Sequence, residues 1–108
     1  MNQQTAWLVL VGAAVFETAW AIGLEYADGF TNLRATAFVV VALAISMAGL
    51  AKAVQVLPVG TAYAVWTGIG AVGTVILGII LFDESTSVIR LVCIVAIVGG
   101  VLGLRMTA

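Results

Sequence analysis

The run WLVLVGAAVFETAWAIGL, Trp7–Leu24, decides how the rest of the chain is read, because one carboxylate, Glu17, interrupts its apolar sequence. Ten apolar or small residues, Trp7 to Phe16, precede the acid, and seven residues follow it. A helix rises about 1.5 Å per residue and a bilayer core is about 30 Å thick, so a helix over this run crosses a membrane with Glu17 near its middle. A charge at that depth is strongly disfavoured, and such residues face a bundle interior or a water cavity, where they mark proton and ion sites. The alternative is a structural Glu satisfied in a pocket; the sharper reading is a proton- or cation-binding group.

The rest of the composition agrees with a membrane setting. Of 108 residues, 64% are hydrophobic and 8% charged, against about a quarter charged in soluble domains. Four apolar spans, about residues 6–24, 33–51, 59–82 and 88–104, take up almost the whole chain. Each is long enough, or nearly so, to cross a bilayer as a helix. The connections are too short to hold a soluble domain. The expected fold is therefore an all-α membrane protein, one domain over residues 1–108 with four transmembrane helices.

The start MNQQTAW carries no Lys or Arg, so the basic region of a signal peptide is missing and the first span reads as retained. The one cysteine, Cys93, lies inside an apolar span, and there is no histidine. That leaves no disulfide framework, metal cluster or His-based triad. Without a nucleophile–base pair or cofactor motif, an enzyme is not expected, nor is a cofactor. A net charge of −1 with four basic residues offers no patch for nucleic acid.

Charge placement says more than charge total. With four spans, Lys52 and Arg105 fall on one side of the membrane and Arg34 and Arg90 on the other. Two against two gives no net orientation by the positive-inside rule, and insertion in both directions is a plausible consequence. With so few charges, the balance is also compatible with chance.

Trp7 stands where an interfacial aromatic anchor is expected. Helical spacing aligns Leu10, Ala13, Ala14, Glu17, Trp20, Ala21 and Leu24 on one face. Ser46 is the isolated polar group of the second span; it either bonds its own i−4 carbonyl or supports a partner such as Glu17. Pro58 suits a helix start, where its missing N–H is not needed. The third span aligns Tyr63, Trp66, Thr67, Gly70 and Thr74, and clusters Gly68, Gly70 and Gly73. Such glycines permit either close packing or a hinge. In the fourth span, Cys93 and Gly100 share a face and Gly99 and Gly103 form a small-xxx-small pair, which points to helix association.

One four-helix chain has too little bulk to enclose a polar pathway. Two copies would set two Glu17 side chains across a shared cavity, with the fourth helix as the dimer contact. Proton and cation would then compete for the same acids, the physical basis of an antiporter. Trp20, Tyr63 and Trp66 add ring faces and polar tips suited to a cation, although each alone reads as ordinary aromatic packing.

The segments FETAWAIGL, ADGFTNL and LPVGTAYAVWTGIGAVG, with the four-helix spacing, resemble the small multidrug resistance transporters over essentially the full length. The resemblance implies an antiparallel dual-topology homodimer in a bacterial or archaeal plasma membrane, exchanging protons for cations by alternating access. Trp20, three residues after Glu17, and the TGIGAVG form of the third helix resemble the guanidinium-exporting branch. By that resemblance Glu17 is the shared proton and guanidinium site, and Trp20, Ser46, Tyr63 and Trp66 form its surround. Gly68 and Gly70 are the bend of helix 3, and Cys93, Gly99, Gly100 and Gly103 lie on the dimer-contact helix. A guanidinium with its donors in a fork suits a carboxylate. The chain departs from the family pattern at Glu25, where a Lys is common, and at Cys93, where a Gly is common. The expected function is proton-coupled export of guanidinium-like cations. The alternatives are a broader exporter of quaternary ammonium or other hydrophobic cations, or one subunit of a heterodimeric transporter.

Overall fold

The computed structural model describes residues 1–107 as four helices: α1 (Gln3–Ala27), α2 (Leu33–Ala53), α3 (Val59–Phe82) and α4 (Val88–Thr107). Each is long and apolar enough to cross a membrane. α1 begins before its apolar span and ends after it, because polar Gln3, Gln4, Thr5 and Glu25 are competent in a helix though not in hydrocarbon. Its start is set by Asn2, whose Oδ1 accepts from Thr5 N at 2.8 Å. Its end is set by three consecutive residues with positive φ, Asp28, Gly29 and Phe30, a reversal held by Thr31 Oγ1 donating to Asp28 O at 2.7 Å. Asn32 then caps α2 by accepting from Ala35 N, and Pro58 sits at the cap of α3 as its chemistry suggests.

Helix neighbours follow the order α2–α1–α3–α4. α1 packs most extensively on α2 and next on α3, while the α4 backbone approaches α3 alone. The molecule measures 40 × 35 × 16 Å. A helix with its side chains is about 10–12 Å across, so the chain is a slab little more than one helix thick. Such a slab has seams and no deep interior. Its buried apolar residues, among them Leu10, Ala14, Leu57 and Val65, line the seams around α1. α4 has no buried residue at all.

Lipid tails are as apolar as leucine, so helices in a membrane are held by close packing and hydrogen bonds instead of by exclusion from water. The α1–α2 seam uses both. A Cβ added at Gly49 would lie 2.7 Å from Ala13 Cβ, and one at Gly23 would lie 2.8 Å from Val39 Cγ2. At the same crossing, Ser46 Oγ donates to Ala13 O at 2.7 Å.

Packing settles how α1 is turned. Its buried face runs through Leu10, Ala13, Ala14 and Thr18, with Glu17 and Trp20 half-buried beside it and Leu24 exposed. Thr18 takes the inner position because its hydroxyl finds a carbonyl across the seam, Gly70 O at 3.0 Å. Trp7, near the start of α1, is turned inward: it is 6% exposed, part of the core cluster, with the Arg105 guanidinium carbon 4.7 Å from its ring centroid.

Gly49→Ala should destabilise the chain by about 1–3 kcal/mol, because neither backbone at the Ala13 crossing can yield cheaply. Gly12→Ala, where nothing lies within 4 Å of the added Cβ, should instead be neutral or stabilising by about 0.5–1 kcal/mol. Unfolding midpoints of both variants in the same detergent check the contrast.

Candidate functional site

Glu17 opens onto a groove of about 330 Å³ between α1 and α3, lined by Glu17, Trp20 and Ala21 on one side and Thr67, Gly70, Ala71, Thr74 and Val75 on the other. Its carboxylate lies directly against the α3 backbone. A Cβ at Gly70 would collide with Glu17 Oε2, and one at Gly73 with Thr18 Oγ1. Gly70 thus admits the acid to the seam, and its carbonyl accepts from two hydroxyls, Thr18 Oγ1 at 3.0 Å and Thr74 Oγ1 at 2.7 Å.

The polar inventory of the site is unevenly satisfied. Glu17 Oε2 and Trp20 Nε1 are buried atoms with no hydrogen-bond partner in the protein. An orphaned acceptor and an orphaned donor on the same groove are costly unless something fills them.

Ser46 supports a partner, as one of its two readings had it, but that partner is Trp66 and not Glu17. It bonds neither its own helix nor Glu17; it donates to Ala13 O and accepts from Trp66 Nε1 at 2.9 Å. Fully buried, it ties α1, α2 and α3 at one point. Trp66 is buried in the core cluster, and Tyr63, 56% exposed, leans on it with ring centroids 5.7 Å apart. Within one chain, therefore, Trp20 shares the groove with Glu17, whereas Ser46, Tyr63 and Trp66 form an adjoining network. α3 runs unbroken through Gly68 and Gly70. Gly68 gives room to α4, where an added Cβ would stand 2.7 Å from Val101 Cγ2. Both glycines serve close packing here. Cys93, Gly99, Gly100 and Gly103 are exposed on α4, and the space beside the three glycines is open.

Thr18 was not singled out by sequence. The available signal was a hydroxyl beside Glu17 in an otherwise apolar run, a residue that in lipid needs a partner. The groove also continues past Ala21, Thr74 and Val75 into a recess of about 260 Å³ lined by Glu25 and Glu84. Glu84 pairs there with Arg90 at 2.7 Å. Glu25 thus stands at the mouth of the Glu17 groove.

Four apolar helices around one mid-span carboxylate match a known pattern: the profile described as Small Multidrug Resistance protein covers residues 5–97. The chain belongs to the small multidrug resistance family. It is 50% identical over 103 residues to a protein of Yersinia pseudotuberculosis serotype I (strain IP32953) named guanidinium exporter, covering 95% of this chain and 99% of that one. Proteins of the same name from Escherichia coli (strain K12) and Salmonella typhimurium (strain LT2) are 50% identical over 102 residues and 48% identical over 103 residues. The first covers 94% of this chain and 97% of its own length, the second 95% and 98%. With four membrane-crossing helices and bacterial exporters as relatives, this small multidrug resistance protein is a multi-pass protein of the plasma membrane.

Ser46→Ala removes a helix-to-helix bond and strands the Trp66 N–H in the core. It should lower stability by about 1–3 kcal/mol, read as an earlier unfolding midpoint together with a shift in tryptophan emission.

Proposed function

We propose that this chain exports guanidinium-like cations in exchange for protons, as an antiparallel dual-topology homodimer with the Glu17 of each copy as the shared binding site. The observation that carries the reading is the near-full-length identity of about half to relatives named guanidinium exporter, joined to the unpartnered Glu17 Oε2 and Trp20 Nε1 on one groove.

Guanidinium is a planar cation with donors and no acceptor. A carboxylate lacking protein donors is its natural counterpart, since two parallel N–H···O bonds satisfy both carboxylate oxygens. The Trp20 ring adds a face for the cation. A protonated carboxyl cannot make the same charge-assisted pair, so proton and cation exclude each other at Glu17. Exchange follows if each conformational change carries one or the other.

The dimer follows from thickness and charge. A slab 16 Å through cannot surround a cation, and a second slab laid against the first would close the groove. α4, with no buried residue and open space beside Gly99, Gly100 and Gly103, is a face suited to such a contact, and Cys93 is small enough to share it. The balanced placement of Lys52 and Arg105 against Arg34 and Arg90 permits both orientations in one membrane. In this scheme Ser46, Tyr63 and Trp66 shape the wall behind the site, and Gly68 and Gly70 supply the flexibility by which α3 changes its bend. Glu25, at the mouth of the groove, raises the local cation concentration.

The decisive test is transport current in proteoliposomes holding this chain alone. Guanidinium should evoke a current in the wild type and none in Glu17→Gln. A current that survives Glu17→Gln overturns the mechanism. Silence of the well-folded wild type with guanidinium, but current with tetraalkylammonium, overturns the substrate. Glu25→Lys should slow uptake most at low salt, and the difference should close at 1 M salt, where the Debye length is about 3 Å.

A further inference from the structure

The far end of α4 carries an arrangement that the transport reading does not use. Between α1 and α4 an apolar crevice of about 370 Å³ opens at Gln4, Trp7 and Arg105 and runs past Leu8 and Leu102. It continues into a second recess of about 250 Å³ that reaches Gly68 and Val98, the two sharing Ile69, Val101 and Leu102. Polar groups are confined to one end. Arg105 has no carboxylate partner among the described residues, and its guanidinium lies over the ring of Trp7. Trp7 is 6% exposed, lines the crevice, and its Nε1 is buried without an acceptor.

We propose that this crevice is a binding seat for one anionic phospholipid, its phosphate held by Arg105 and one acyl chain lying between α1 and α4. The chemistry of the two ends selects the occupant. From Arg105 to Val98 the crevice follows α4 for about 10 Å, against about 15 Å for one leaflet's half of the hydrocarbon core. A cation at the water-facing end and an apolar track toward mid-membrane match a lipid's headgroup and tail. A soluble anion would leave the apolar track empty, and a neutral lipid would leave Arg105 without a net negative partner.

The seat lies apart from the face proposed for the second copy. At about 100° per residue, Val98, Leu102 and Arg105 fall within about 60° of one another on α4, and Cys93 and Gly100 lie on its opposite side. The lipid fills the crevice beside the contact of Arg105 on Trp7. α4 is the helix with no buried residue of its own, so the lipid is its missing packing partner on that side.

Native mass spectrometry of the delipidated full chain, titrated with phosphatidylglycerol and phosphatidylcholine of identical acyl chains, tests the seat. The wild type should hold one phosphatidylglycerol per chain about fivefold more tightly than phosphatidylcholine, the preference expected of a single basic residue at the membrane surface. Arg105→Gln should abolish that preference and Arg105→Lys should keep most of it. Arg34→Gln, at the other end of the slab, should leave it intact. Leu102→Trp, which keeps Arg105 but fills the crevice, should weaken both lipids. Equal preference in wild type and Arg105→Gln overturns the proposal, as does an equal loss in Arg34→Gln. Undiminished binding to Leu102→Trp overturns the acyl seat.

Discussion

Hydrocarbon offers no hydrogen bonds, so every polar side chain in these helices has either a protein partner or an unmet need. The structure follows from how that need is met. Ser46 meets it twice, donating to Ala13 O and accepting from Trp66 Nε1, and so fastens α1, α2 and α3 at one level. Thr18 and Thr74 meet it together on Gly70 O. Glu17 Oε2 and Trp20 Nε1 do not meet it. The satisfied groups fix the position of the seam, and the unsatisfied ones belong to the groove where the cation site is proposed.

Glycine makes this possible by letting backbones and polar groups meet. Gly49 brings α2 onto Ala13, Gly70 lets a carboxylate lie on α3, and Gly68 makes room for Val101 of α4. In each case the missing Cβ is replaced by an atom of another helix, so these positions act through contact geometry. Where the added Cβ meets nothing, as at Gly99, Gly100 and Gly103, the same residue type leaves a bare helix face open to a neighbour. One amino acid thus marks finished contacts at one edge of the slab and an unfinished one at the other.

The thinness of the slab connects these features. At 16 Å it is too thin to close over the Glu17 groove, which stays open along the α1–α3 seam. It also explains why α4, on the outer edge, depends on neighbours outside the chain. The proposed second copy and the proposed lipid are opposite sides of that one dependence.

Composition and spacing alone determined the four helices, their approximate ends, the mid-helix position of Glu17 and the balance of basic residues. These are properties of single segments, set by residue hydrophobicity and a fixed rise per residue. The family was legible as well, because its motifs are local. What helical spacing could not assign was which neighbour each polar or small residue meets. It aligned Glu17 with Leu10, Ala13 and Ala14 without showing that Thr18 shares the seam, placed Trp7 at the interface without showing that it packs in the core, and left open which partner Ser46 meets, which the fold resolves as Ala13 O and Trp66 Nε1. Those outcomes depend on the rotation of each helix about its own axis and on its distance from the next. Adjacent residues stand about 100° apart on a helix, and only the packed arrangement, with Gly70 opposite, shows that both the Thr18 hydroxyl and the Glu17 carboxylate reach the α1–α3 seam.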